Sequence, residues 1–496
     1  MKKLFSTMLF AWLSVMLAAC AGGSAPKSND SAEDLLAGEL AGEITVSCYD
    51  AMLYEPFLNE AAALFEAKHP GTKINIEVFS KMPEIKTMET EDGSMVSVSQ
   101  SGDDPQDVMN YISRINTQLM SGQGPDILAM DVLPYYKYAE SGLLEDLRIY
   151  MEADGDFDIG EYRRNIMEGM KYQSGQYIMP LDFGFHFISF DKNRVDAATA
   201  DKLRERSKFT YWELTDLIKE QFANDSSNAR VIDFQGGAAQ AFRNQFRMEH
   251  NHYVDLENKK ANFNDGSFAE LLERIHEQRQ SGYFRPDFAS MEEQTQDFIE
   301  AQRLYYLKFE IDMTLKNIFY PRDDFNQQEA FPIPDPDEIA GLLTNDAGEA
   351  VIRNFQAYGM NANSQNKKLA WQFIKFLLGE EMQQSLNLLG FPVNNAAFIE
   401  DSKLYMITMP NYVESGNDEY TVDGIVELAE QKYVDAYASY MEYLNEFVNE
   451  LSLYPITDKI IDDMVASETA LFFDGSRSAE EVANTLQNRV QLYLDE

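Results

Sequence analysis

Ile44-Thr45-Val46-Ser47-Cys48, a helical stretch, and then Ile74-Asn75-Ile76-Glu77-Val78 form the segment that decides the fold class. Ile44, Val46 and Cys48 alternate with polar residues, and so do Ile74, Ile76 and Val78, which is the period of a strand with one buried face. Between them Phe57, Ala61, Leu64 and Phe65 fall on one helix face; Pro56 is expected to open that helix and Pro70-Gly71 to end it. Strand, helix and strand in this order are the grammar of a parallel sheet, so the chain is predicted to be α/β.

Downstream, a polar stretch over 81–107 reads as a surface insertion. A helix is expected over 107–120, and Gly124-Pro125 turns into the strand Asp126-Ile127-Leu128-Ala129-Met130-Asp131. Residues 176–190 are almost continuously apolar, broken by Pro180, Asp182, Gly184 and His186, as expected of a chain buried on both sides where it crosses between lobes. A second crossover is expected at 351–360. The helix 366–378 follows, with Leu369, Phe373, Phe376 and Leu377 on one face, and a last helix carries Val482, Leu486 and Val490 four residues apart.

Upstream, Lys2 and Lys3 precede an uncharged run over 4–17 that ends Leu17-Ala18-Ala19-Cys20. This pattern is a secretory signal, and its cysteine ending resembles the bacterial lipobox, which implies a signal peptide over 1–19 and a diacylglyceryl group on Cys20. Two acyl chains at ~0.8 kcal/mol per buried methylene make a stable anchor. The protein is therefore expected on the outer face of the cytoplasmic membrane. Residues 20–42, rich in Gly, Ser, Ala and Asp, read as the tether.

About 450 residues then remain, too many for one core, so two lobes are expected. They are placed at 43–179 plus 357–398 and at 180–356 plus 399–496. Hydrophobic content of 45% with 12% aromatic is globular. The formal charge of −42 excludes nucleic acid as a partner and disfavours acidic ligands unless arginines cluster locally. With Cys20 carrying lipid, Cys48 has no disulfide partner and reads as a small buried hydrophobe. No P-loop, HExxH or GxSxG motif is present, so no catalytic apparatus and no cofactor are expected.

Several segments together resemble the extracellular solute-binding proteins of ABC importers, the group that includes maltose- and oligosaccharide-binding lipoproteins. Phe65-Glu66-Ala67-Lys68-His69-Pro70-Gly71-Thr72-Lys73-Ile74 is similar to the family's opening helix and second strand. Leu119-Met120-Ser121-Gly122-Gln123-Gly124-Pro125-Asp126-Ile127 is similar to its most recognisable motif. Ser141-Gly142-Leu143-Leu144-Glu145-Asp146-Leu147, Thr210-Tyr211-Trp212-Glu213-Leu214, the helix around Trp371 and Gly390-Phe391-Pro392-Val393 follow in order. The resemblance implies a periplasmic-binding-protein-like fold of type II. Two α/β lobes joined by hinge crossovers would close on a solute and hand it to permease subunits served by a separate ATPase. A monomer is expected.

In open α/β sheets ligands sit beyond the carboxyl ends of strands, which selects Tyr49, Asp50 and Tyr54 after the first strand and Asp131 after the Pro-Asp strand. Aromatic faces suit the C–H side of a sugar, and carboxylates, amides and arginine suit its hydroxyls. Asp182 and Phe183 at the first crossover, and Arg353 and Phe355 at the second, complete the hinge set. In the second lobe Phe234 and Gln235 end a short strand. Phe309, Glu310 and Asp312 stand where the resembled family carries a glycine and a tryptophan; the tryptophan is absent here, so stacking falls to Phe and Tyr. Asp154-Gly155-Asp156-Phe157-Asp158 imitates a calcium loop but breaks its spacing, so no metal is expected. His250-Asn251-His252 reads as a solvated surface.

The expected function is a receptor for a sugar or oligosaccharide. A receptor for a peptide or polyamine, a surface glycosidase and a sensory subunit are the alternatives.

Overall fold

The computed structural model describes residues 36–80, 105–225, 237–284, 338–399 and 444–495, with further strands at 84–89, 95–100, 230–233 and 305–312. The signal, Cys20 and most of the tether lie outside the described residues, as do Phe234 and Gln235.

Asp50 starts the first helix, Ala51–Lys68: its carboxylate accepts from the backbone N–H groups of Met52 (2.8 Å) and Leu53 (3.1 Å). Pro56, expected at the first helical position, lies inside the helix instead. The cap satisfies two amides that would otherwise be orphaned, while the bond Pro56 forfeits is to Met52, which is exposed and can be solvated. Residues 81–107, expected as a surface insertion, contain the antiparallel strands Glu84–Glu89 and Met95–Gln100, and the next helix begins at Pro105 rather than at 107.

Two sheets organise the chain. In the first, Thr72–Val78, Gly42–Cys48 and Ile127–Ala129 run parallel, followed by Ala357–Met360, which is antiparallel to Ile127–Ala129 and to Met179–Pro180 on its other side. The β-α-β reading holds, with Val46 opposite Ile76 and Ile127. In the second sheet the order is Arg230–Asp233, Tyr305–Asp312, Phe185–Phe190, Ile339–Thr344, Ala350–Val351 and Leu451–Leu453, with Lys208–Thr210 also pairing Ile339–Thr344. The chain passes between the sheets just where the two apolar crossovers were expected, after Met179–Pro180 and again between Ala350–Val351 and Ala357–Met360.

The Gly-Pro-Asp turn is explained by its contacts. Gly124 has φ +116°, a left-handed conformation in which a side chain is strained. Asp126 then ties three segments together, accepting from Thr45 N (2.9 Å) and from Ser364 Oγ (2.5 Å). At Thr210 the capping box is complete: Thr210 Oγ1 accepts from Glu213 N (3.2 Å), and Glu213 accepts from Thr210 N (2.9 Å). The late helix, Lys367–Leu378, buries Trp371 fully, and the last helix, Ala479–Asp495, buries Val482, Leu486 and Val490.

Asp154 does not read as a calcium ligand. Its Oδ2 accepts from Trp371 Nε1 (2.8 Å), Lys375 Nζ (2.7 Å) and Gln372 Nε2 (3.1 Å), which pins the late helix. His250, expected on a solvated surface, is fully buried edge-on to Phe246, and burial lowers its pKa to about 4. The HxH spacing put its two rings on different sides; one of those sides is the core, while His252 is exposed.

Candidate functional site: the hinge between the sheets

The crossovers bring residues 182–186 and 353–356 side by side. Gly184 and Arg353 exchange backbone hydrogen bonds of 2.9 and 2.8 Å. Asp182 is fully buried and gathers the hinge: Oδ1 accepts from Phe355 N (2.9 Å), Gln356 N (3.0 Å) and Asn354 Nδ2 (3.1 Å), and Oδ2 from Gly390 N (3.0 Å). Gly390 must be glycine for that approach, since a Cβ there would sit 2.7 Å from Phe183 O and 2.9 Å from Asp182 Cγ. Phe183 is packed between Phe391 and Phe398 at centroid distances of 5.7 and 5.9 Å.

Asp131 has the same kind of employment at the end of the Pro-Asp strand. Its Oδ2 accepts from Tyr49 N (3.0 Å) and Asp50 N (3.1 Å), and its Oδ1 from Val132 N (2.9 Å). Burial raises both Asp131 and Asp182 to about 6, and the backbone donors limit that rise. Tyr49 is buried with Phe79 and Tyr111. Tyr54 is buried edge-on to Tyr358, and its hydroxyl donates to Phe355 O at 2.7 Å. Of the expected site residues, then, Tyr49, Asp50, Tyr54, Asp131, Asp182 and Phe183 hold the hinge and the strand ends in place.

Arg353 and Phe355 differ. Both stay partly accessible, the guanidinium lies 5.2 Å from the Phe355 ring centroid, and Arg353 Nη1 is 3.3 Å from His186 Nε2. Burial, together with the charge of Arg247, nevertheless lowers Arg353 to about 10. Tyr454 is raised to about 12 and Asp462 to about 6, each chiefly by burial, and both also feel Arg247. Arg247 therefore lies within electrostatic reach of Arg353, Tyr454 and Asp462 at the hinge. The sequence reading missed Arg247, Tyr454 and Asp462. Arg243 and Arg247, one turn apart in the helix Gly237–Met248 of a very acidic chain, are the one local signal that pointed there.

The backbone of Phe309, Glu310 and Asp312 lies in the strand antiparallel to Phe185–Phe190, opposite Ile188, Phe187 and Phe185 respectively; their side chains lie outside the described residues. A separate depression of about 480 Å³, lined by Tyr162, Arg163, Asn165 and Asn449 among others, sits elsewhere. There Asn165 Nδ2 donates to Val448 O and Leu451 O, and Arg163 stacks on Phe398, its Nε meeting no hydrogen-bond acceptor among the described residues. Among the described residues no cluster of His, Cys, Asp and Glu could hold a metal ion, and no helix is long and apolar enough to cross a membrane.

Residues 85–403 match the family model described as bacterial extracellular solute-binding protein. The chain belongs to that family. An extracellular solute-binding protein family 1 from Alicyclobacillus acidocaldarius superposes with a TM-score of 0.54 at 15% identity, over 93% of this chain and 100% of that one. The sugar-binding protein MalE from Xanthomonas citri superposes with a TM-score of 0.55 at 12% identity, over 92% and 98%. An ABC substrate-binding protein from Listeria monocytogenes in complex with cycloalternan superposes with a TM-score of 0.52 at 16% identity, over 92% and 99%. At such identities the likeness establishes the fold, two-lobed and periplasmic-binding-protein-like. No functionally curated protein matches the chain in sequence.

Proposed function

We propose that this protein is a non-enzymatic receptor that captures a sugar or oligosaccharide outside the cell and passes it to an ABC import permease. The observation that carries the reading is at the hinge, where an aromatic ring and a fork of N–H donors lie together, at Phe355 and Arg353, between two α/β lobes. A sugar needs that pairing of apolar platform and polar edge. The solved relatives named above include a sugar-binding protein and one holding a cyclic oligosaccharide, which supports the same class. We place the lobes at 43–179 plus 357–398 and 180–356 plus 399–496, and attach the chain to the membrane through lipid on Cys20.

A thermal-shift screen of the protein against neutral and acidic saccharides, peptides and polyamines tests the class, because a ligand stabilises the native state according to its concentration relative to Kd. Saccharides are expected to raise Tm and to be recovered unchanged; a shift confined to peptides or polyamines, or cleavage of the glycan, would overturn the proposal. Cys20→Ala is expected to release the protein from membranes, and retention after a high-salt wash would refute the anchor.

A further inference from the structure

We propose that the depression between residues 162–168 and the segment around Asn449 is a second binding site, for a small oxyanion: a carboxylate or phosphate group held by the guanidinium of Arg163, with Arg164 beside it. This site is independent of the solute taken at the hinge.

The depression offers about 480 Å³, within the range of small-molecule sites, and charged and amide side chains line it. Arg163 is held on two sides. Its guanidinium stacks on the Phe398 ring at 4.1 Å, and Nη2 donates to Asn445 Oδ1 at 3.3 Å, a long contact that leaves Nη2 a second N–H. Nε is buried and meets no acceptor. A buried donor left unpaired is unfavourable, and an oxyanion removes the penalty: two of its oxygens match the guanidinium fork with parallel hydrogen bonds. Burial lowers the Arg163 pKa, and an anion against it would favour the charged form.

Charge decides for an anion over a neutral ligand. Acidic residues outnumber basic ones 83 to 41 in this chain, so an arginine has carboxylates in easy reach almost anywhere. Arg114, Arg148, Arg206, Arg477 and Arg489 have each taken one. Among the described residues Arg163 and Arg164 form no ion pair. The carboxylates closest to them in the chain are engaged elsewhere or open to water: Glu168, which lines the depression, pairs with Lys171 at 2.5 Å, Asp158 accepts from Gly160 N at 2.8 Å, and Glu161 is exposed. The rims are also set in advance. Asn165 Nδ2 ties one to the other through Val448 O and Leu451 O, at 2.6 and 3.0 Å, and Asn395 Nδ2 donates to Gly160 O at 3.2 Å. A site already formed loses less on binding. Phe398, beneath the guanidinium, stacks in turn on Phe183 at 5.9 Å, so a bound anion would rest on the aromatic stack that packs the first crossover.

A thermal-shift titration of the whole protein with potassium phosphate, glycerol phosphate and malate tests the site, each against potassium chloride at equal ionic strength. The chloride control is needed because any salt screens the self-repulsion of a chain with a formal charge of −42. At least one of the three is expected to raise Tm saturably beyond chloride, and the one that saturates at the lowest concentration identifies the oxyanion. Arg164→Gln, which alters an exposed side chain, should weaken its apparent affinity by about 3-fold or more, and Arg163→Lys, which keeps the charge and loses the fork, should weaken it further. A rise no larger than that with chloride would overturn the site, as would a saturable rise that both variants leave intact. A rise that persists in both and vanishes in Arg353→Gln would place the anion at the hinge and overturn the assignment to Arg163.

Discussion

On the first-sheet side of the hinge the carboxylates end on backbone amides, three for Asp131 and three for Asp182 together with Asn354; across the hinge Arg353 and Arg247 form no ion pair among the described residues. One wall uses its charge to fix the positions of strand ends and crossovers, and the other holds charge in reserve. A carboxylate at the end of a parallel strand sits among N–H groups that have run out of ladder partners, so architecture claims it before any solute does. A guanidinium has only donors, and near the end of an antiparallel crossover it meets no such surplus of acceptors.

The comparison breaks most visibly at Asp182. Asp182→Ala leaves the amides of Phe355, Gln356 and Gly390 unpaired in the core, which is expected to cost about 3–5 kcal/mol by chemical denaturation. Solute affinity extrapolated to the folded fraction should change little. Intact stability with lost affinity would move Asp182 to the solute side of the ledger and dissolve the contrast between the walls.

The second test sets Asp182 against Asp154, a buried carboxylate that does have a cation. Lys375 and Trp371 hold Asp154 below the ordinary carboxylate range despite burial, so its contribution is present above the unfolded pKa near 4 and is lost as pH falls through the folded value. Asp154→Asn is therefore expected to cost about 1–3 kcal/mol at neutral pH, with the gap to the parent closing in acid. Asp182 is raised to about 6, chiefly by burial, so its contribution is complete below about pH 4 and declines as pH rises through 6. The gap between the parent and Asp182→Asn should thus narrow from pH 4 to pH 8. Unfolding midpoints across that range, with both gaps moving in the same direction, would show that the two aspartates do not differ in this way.

Much of the scaffold was legible because it is written locally. Alternation at Ile44, Val46 and Cys48, the Gly-Pro-Asp turn and the spacing of Val482, Leu486 and Val490 each name an element within a few residues. The crossovers were legible too, since a chain buried on both sides loses its polar alternation. The hinge was read only in part. Arg353 and Phe355 could be found because they lie in a crossover, but Arg247 comes within electrostatic reach of Arg353, Tyr454 and Asp462 from more than a hundred residues away. The sequence showed a carboxylate after the Pro-Asp strand at Asp131 and another at the first crossover at Asp182, but what Asp182 bonds to was hidden, because the donors at Gly390 and Phe355 arrive from distant parts of the chain. Pro56 shows the local limit: an aspartate cap six residues earlier overrode the expected helix start.

A smaller effect is expected at Tyr54. Tyr54→Phe removes one hydroxyl that donates to Phe355 O at 2.7 Å and should cost about 1 kcal/mol, read as a lower unfolding midpoint with solute affinity within a few-fold of the parent. A loss of affinity without a loss of stability would mean that the hydroxyl turns to the solute when one is bound.

The smallest change tests a contact between the walls themselves. Tyr136 OH, on the short helix Tyr135–Glu140, donates to Asp458 Oδ2 at 2.8 Å, and Tyr493 OH shares that oxygen at 2.9 Å. Asp458 is the cap of the helix Lys459–Phe473, so the bond joins an element before the first crossover to one near the end of the chain. Lys137 over the Tyr493 ring at 3.6 Å and Lys259 with Glu140 at 3.7 Å lie along the same seam. Tyr136→Phe leaves those contacts and Tyr493 in place, so about 0.5–1 kcal/mol is at stake. If the seam holds the two sides together, that energy appears as a shift toward open molecules: a larger radius of gyration by scattering without solute, the bound value restored at saturation, and affinity lower by no more than about five-fold. An unchanged radius together with a lower unfolding midpoint would show that the seam belongs to one rigid body, and that closure, if it occurs, does not pass through Asp458.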